Sequence, residues 1–159
     1  MSLEEKLITL PAHLLRRCHQ ISVATFLDIC EEFEITAVQY AILTALKNYP
    51  GIDQINLAGL VSIDRSTMGN VLQRLEKKKL VKKNLSPKDR RIRMVYITTK
   101  GSDLTDEMHP FVVKVQEEIL NPLQEDEKEI FMSLLLKIAQ GNNTLSRAPM
   151  KPPKSYKLP

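Results

Sequence analysis

What this 159-residue chain lacks is the first guide to its chemistry. Its five glycines are scattered, and no Gly-rich phosphate loop or Gly-x-Ser-x-Gly nucleophile turn is found. Tryptophan is absent and aromatic residues make up 5% of the chain. The three histidines, His13, His19 and His109, form no His-Glu-x-x-His pair, and no Cys-x-x-Cys accompanies them. His13 and His19 stand about 240° apart around a helix, so they share no face on which to hold a metal. Catalysis, a metal and a cofactor are therefore not expected. No apolar run approaches the roughly 20 residues that span a bilayer, and the mixed-charge stretch Met1–Thr9 has no apolar signal core. The two cysteines, Cys18 and Cys30, fall in one expected helix, about 18 Å apart along its axis and about 120° around it. They cannot bond to each other there, and a reducing cytoplasm is the expected location.

Cations, by contrast, gather in one place. Twelve of the 23 Lys and Arg residues fall between Asp64 and Lys100, against only Asp64, Glu76 and Asp89, an excess of +9. The whole chain is +4, which leaves −5 for everything else. A basic module on an acidic body is the footprint of a polyanion partner, since each phosphate neutralised releases counterions. Alone, Lys77-Lys78-Lys79 would read as a solvated basic surface. The donors and the hairpin around it favour a nucleic-acid face.

The pattern of that module is a helix followed by a hairpin. Asp64 suits an N-cap, and Met68, Val71, Leu72 and Leu75 recur at helical spacing to form one buried face in a helix reaching Lys79. The opposite face carries Arg65, Ser66, Asn70, Gln73, Arg74 and Lys77. Leu80–Leu85 and Ile92–Ile97 predict two strands, joined by a turn at Ser86-Pro87-Lys88-Asp89. Helix then basic hairpin is the outline of a winged helix.

Upstream, residues 10–33 predict one long helix with two adjacent apolar stripes, wider than a single partner helix requires, which points to burial in a larger assembly. Thr36 and Gln39 form a capping box for a second helix that ends at Asn48-Tyr49-Pro50-Gly51. Asp53 caps a short third helix, Gln54–Val61, and the brief Ser62-Ile63 link completes a helix-turn-helix outline. Downstream, Thr98 caps a fifth helix through Ile119, with Pro110 expected to bend it or remove a hydrogen bond. A sixth runs from about Gln124 to Gln140, acidic at its start as the helix dipole favours. Gly141 ends it, and from Asn142 a basic, proline-containing tail is expected to be mobile.

These residues resemble the MarR-type winged-helix transcriptional regulators. The resemblance is carried by L-x-R-L-E-x-K-x-L-V at Leu72–Val81, by Asp89-Arg90-Arg91, and by Ile97-Thr98-Thr99-Lys100-Gly101, and it extends over roughly residues 10–140. It implies a fold that is mainly α with a small β-hairpin wing, a winged helix-turn-helix plus a helical dimerisation region. Residues 1–35 and 101–141 would supply the dimerisation helices, 36–100 the DNA-binding lobe, and 142–159 the tail. A homodimer would then place two recognition helices in successive major grooves of a pseudo-palindromic operator on double-stranded DNA, in the cytoplasmic nucleoid. Arg65, Ser66, Thr67, Asn70 and Arg74 would meet base edges and phosphates. Lys88, Asp89, Arg90 and Arg91 would form the wing tip, with an arginine entering the minor groove and Asp89 positioning it. A local salt bridge from Asp89 that shapes the turn is the alternative.

Members of this family respond to small phenolic or aromatic acids, or to oxidants. The segment from Leu10 to Ile21 looks similar to the start of members that sense aromatic carboxylates or their thioesters. This implies a repressor released by an anionic effector, in a pocket lined by His13, Arg16, Arg17 and His19, because guanidinium and imidazole match a carboxylate. The same four residues also read as an exposed basic face with a satisfied histidine. Cys18 is the candidate for redox sensing, although a buried, inert thiol is its expected state. An effector-independent architectural or RNA-binding winged helix is the remaining alternative.

Overall fold

A computed structural model describes residues 7–87 and 89–151 of the chain. Helix α1 spans Pro11–Ile29, opened by a proline whose missing N–H costs nothing in the first turn. Helix α2 spans Ala37–Asn48, strand β1 Ile52–Asp53, helix α3 Gln54–Leu60 and helix α4 Arg65–Lys77. Strands β2 (Val81–Leu85) and β3 (Arg93–Ile97) form the wing, and helices α5 (Thr99–Leu120) and α6 (Glu125–Gly141) follow. The sheet is antiparallel in the order β1-β3-β2.

Local chemistry sets most of these boundaries. The Thr36 hydroxyl accepts the Gln39 N–H at 3.3 Å while the Gln39 side chain accepts the Thr36 N–H at 3.0 Å, a reciprocal cap that satisfies two orphan donors of α2. Asp53 accepts from the N–H groups of Ile55 and Asn56, and Asp64 from those of Ser66 and Thr67. The end of α4 is closed by backbone alone. Lys79 turns left-handed (φ 61°), its N–H donates to Glu76 O, and the Leu80 N–H donates back to Leu75 O at 3.0 Å. Leu75 and Leu80 are both buried beneath that turn.

The core lies where these helices cross the sheet. Ile42, Leu43 and Leu46 of α2, Leu57 of α3, Met68, Leu72 and Leu75 of α4, Val95 of β3, and Met108 and Val115 of α5 are all buried. The wing is fastened to α5 at Thr98. Its N–H donates to Leu80 O, its hydroxyl donates to the carbonyls of Lys79 and Leu80, and it accepts the Gly101 N–H. A Cβ on Gly101 would stand 2.2 Å from the Leu80 carbonyl oxygen, so only glycine lets α5 approach the strand this closely.

Beyond shifts of one or two residues at element ends, the observed elements differ from the expected ones in three places. The α-helical part of α1 stops at Ile29 rather than 33, and a 3-10 turn, Glu31–Phe33, replaces its last turn. Leaving the helix there buries Cys30 and Ile35 and sets Phe33 edge-on to Phe111, ring centres 5.1 Å apart, at the cost of a left-handed Glu34 (φ 50°). Strand β1 was not expected, because two residues are too few to show a period. Helix α5 runs unbroken through the exposed Pro110, in keeping with the second of the two expected effects, since a proline has no N–H to donate there. Finally, part of the expected tail has a defined course. Residues 143–145 form a 3-10 turn, the Asn143 side chain pairs with both backbone groups of Met150, and the Lys151 N–H donates to Gly59 O at 2.8 Å. Residues 152–159 lie outside the described part. No described helix is long and apolar enough to cross a membrane.

Candidate nucleic-acid interface

Helix α4 divides as its periodicity requires. Met68, Leu72 and Leu75 are buried, and Arg65, Ser66, Thr67, Asn70, Gln73, Arg74 and Lys77 are all exposed on the side away from the core. The helix is held at its start by an Asp64 carboxylate that accepts four hydrogen bonds. They come from the backbone N–H groups and the hydroxyls of Ser66 and Thr67, with both hydroxyl bonds at 2.6 Å. The Ser66 hydroxyl bond, followed by the others, holds the Asp64 carboxyl far below the usual carboxylate range. These bonds refine the expected roles of Ser66 and Thr67. Each hydroxyl proton is committed to Asp64, which leaves the oxygens free to accept rather than donate.

The wing tip is shaped by Asp89, and not through the salt bridge weighed as the alternative. Its carboxylate accepts the backbone N–H of Arg91 at 2.9 Å, while the Ile92 N–H donates to Asp89 O and the Ser86 N–H to Ile92 O. Among the described residues Asp89 has no ion pair, so the turn is built from backbone donors and leaves Arg90 and Arg91 exposed. Lys88, expected at the tip, lies outside the described residues.

Not every cation of the basic module faces outward unpartnered. Lys78 donates to the Glu34 carbonyl at 2.6 Å and lies 3.5 Å from its carboxylate, Lys83 pairs with Glu76 at 2.8 Å, and Lys100 donates to Lys78 O. Lys82 stands over the Tyr96 ring, 5.9 Å from its centre. Among the described residues, the cations of the module left without such partners are concentrated on α4 and the wing. One of them was counted in the charge excess but not expected as a contact. Arg93 joins Arg65 and Arg91 in lining a cavity of about 380 Å³ between the wing and the start of α3.

The expected effector residues all fall on α1. Arg16, Arg17 and His19 are exposed along α1, His13 is half-buried, and Arg16 donates to the Gln20 side chain at 3.0 Å. Cys18 is exposed, contrary to the expected buried thiol, because it lies on a face of α1 that none of the described residues covers. The buried thiol is Cys30, whose pKa burial raises, helped by the nearby Glu32 charge.

Comparison with known proteins places this geometry. The MarR family model matches residues 35–92, which cover α2, the helix-turn-helix and most of the wing. The chain is 33% identical over 105 residues to the transcriptional regulator HosA of Escherichia coli O111:H-, an overlap of 66% of this chain and 78% of that protein. It is similar to Bordetella bronchiseptica BpsR, whose DNA binding is regulated by 6-hydroxynicotinic acid. The identity is 30% and the TM-score 0.79, over 83% of this chain and 94% of that one. It is also similar to the transcriptional repressor CouR bound to a 23-mer DNA duplex, with 25% identity and a TM-score of 0.80 over 87% and 99% of the two chains. With a basic recognition helix and wing on a winged helix-turn-helix frame, and relatives of this kind along most of its length, the chain belongs to the MarR family of DNA-binding transcriptional regulators.

Proposed function

We propose that this protein is a homodimeric repressor, released from a pseudo-palindromic operator by a small aromatic or phenolic carboxylate or its thioester. The observation that carries the dimer is a burial mismatch. Helix α6 has no buried residue, and Ile130, Leu134 and Ile138 are 60%, 55% and 50% exposed along one side of it. Helix α1 buries only Phe26 and leaves Leu14, Leu15, Ile21 and Leu27 in solvent. Covering such side chains is favourable by about 1 kcal/mol or more each, enough in sum to offset the cost of association. A second copy supplies the same two faces and closes both by symmetry.

DNA contacts are assigned to Arg65, Ser66, Thr67, Asn70 and Arg74 on α4 and to Lys88, Asp89, Arg90 and Arg91 at the wing. Support for the effector class comes from α1, where His13, Arg16, Arg17 and His19 put imidazole and guanidinium groups beside uncovered apolar residues, a combination suited to an aromatic ring bearing a carboxylate. BpsR, which is regulated by an aromatic carboxylate, supports the same class. The test is a thermal-shift screen of aromatic acids and their thioesters on the full chain, with each stabilising compound then tested for release of bound duplex DNA. One class of acid should do both, and Arg16→Ala should keep DNA binding while losing release. An Arg16→Ala protein that still releases DNA normally removes Arg16 from the pocket. A chain that sediments as a monomer at micromolar concentration removes the dimer.

A further inference from the structure

We propose that the notch between the wing and the start of α3 holds a phosphate of the DNA backbone, with Arg93 acting beside Arg65 and Arg91. Three separate stretches of the chain meet at this cavity: Asp53 to Asn56, Arg65, and Arg91 to Arg93. The reason is the short strand β1. It pairs with β3 so that Ile52 faces Val95 and Asp53 faces Met94. One step further along that ladder, the first residue of α3 comes beside Arg93. The Ile63 N–H donates back to Ala58 O at 2.9 Å, which folds the turn so that α4 begins at Arg65 against the same cavity.

Charge in the notch is unbalanced. Asp53 is the one acid among the lining residues, and its carboxylate already accepts the N–H groups of Ile55 and Asn56 and the side-chain amide of Asn56. None of the three guanidinium groups has an ion pair or a hydrogen bond among the described residues. Three unpaired guanidiniums around a concave space suit an anion whose oxygens accept from several directions, and a phosphodiester is such a group.

Position selects the duplex backbone over a free anion. A recognition helix in the major groove and a wing in the neighbouring minor groove must straddle the sugar–phosphate strand that separates them. The notch lies between those two elements, since Arg65 is the first residue of α4 and Arg91 to Arg93 lead from the wing tip into β3. A group placed there meets phosphates rather than base edges. It adds affinity and fixes register without carrying sequence information. The inference rests on this face being the one that grips DNA, and the experiment separates the two claims.

The full chain is titrated by fluorescence anisotropy against a mixed-sequence duplex of about 25 base pairs, long enough for two successive major grooves, over a series of NaCl concentrations. Arg93→Gln is expected to weaken binding about tenfold at moderate salt and to lower the slope of log K against log salt by about one per protomer engaged. Arg93→Lys should retain most of that slope. Lys114→Gln removes the same charge from an exposed position on α5 and should leave the slope at its wild-type value. An unchanged slope for Arg93→Gln, with Arg90→Ala still flattening it, overturns the notch and leaves the wing standing. A uniform loss of affinity at the wild-type slope also overturns it, since that is how a structural role would show. If Arg93→Gln instead removes thermal stabilisation by inorganic phosphate and leaves the DNA slope alone, the notch holds a free anion and the backbone assignment fails.

Discussion

Helices α4 and α6 are both amphipathic, 13 and 17 residues long, yet they meet opposite fates. The apolar side of α4 is buried inside the protomer at Met68, Leu72 and Leu75, and only its polar side remains visible. Among the described residues α6 packs on little beyond the turn that follows it, and Ile130, Leu134 and Ile138 stay exposed. Amphipathic spacing therefore says that a face is to be covered, without saying which chain covers it. The core around α4 is completed within the protomer, with Phe26 of α1 and Met108 and Val115 of α5 closing it; the outer faces of α1 and α6 are not covered.

The sharpest way to break that comparison is to charge the uncovered face. Leu134→Glu with Ile138→Glu should leave the protomer folded, convert the protein to a monomer by sedimentation, and weaken binding to a palindromic duplex by two or more orders of magnitude, because the second lobe is no longer tethered. A double variant that stays dimeric with unchanged DNA affinity would assign the apolar face of α6 some other use. Next in size is the matching change in the lobe. Leu72 is fully buried, so Leu72→Ala should cost about 2–5 kcal/mol in chemical denaturation, whatever the protein concentration. A loss below about 1 kcal/mol would mean that the lobe's core is looser than its burial indicates.

The same contrast explains which features were legible in the sequence. Caps are local, needing one side chain and the next three backbone N–H groups, and Thr36, Asp53, Asp64 and Thr98 each cap the helix expected of them. The wing strands begin one residue later than expected and end as expected, because Pro87 and Asp89 carry the turn. The outward face of α4 follows from its period. What escaped the sequence depends on long-range backbone pairing, which leaves little mark on residue choice. Strand β1 is two residues long and is stabilised by its place beside β3. The bond from Lys151 to Gly59 links backbone groups far apart in sequence. Arg93 went unassigned for the same cause, since its neighbours at the notch are brought there by β1. The division of the lysines into partnered ones, such as Lys78 and Lys83, and unpartnered ones required the partners' positions.

A smaller effect should come from the end of α4. Lys79 holds a left-handed backbone (φ 61°) that closes the turn from Leu75 to Leu80. A side chain costs about 1 kcal/mol in that conformation, whereas glycine adopts it freely. Lys79→Gly is therefore expected to stabilise the lobe by up to about 1 kcal/mol, read as a rise of a few degrees in melting temperature. A fall instead would show that the lysine stem contributes packing beyond its charge.

The last and smallest effect lies at the other end of α4 and appears only in acid. The Asp64 carboxyl titrates well below its ordinary value because the Ser66 and Thr67 hydroxyls and N–H groups bond its charged form. A folded-state pKa below the unfolded one means that the carboxylate's contribution is fully present above the unfolded value, about 3.9. It then fades as pH falls from there toward the folded value. Asp64→Asn removes the charge at every pH, so the stability gap between wild type and variant should be constant from neutral pH down to about 5 and narrow steadily below about 4. Matched denaturation curves over that range check this. A gap that stays constant to the most acidic point, or that widens, would mean that the four bonds to Asp64 do not depend on its charge. The ordering of the first turn of α4, on which the positions of Arg65, Ser66 and Thr67 rest, would then need another source.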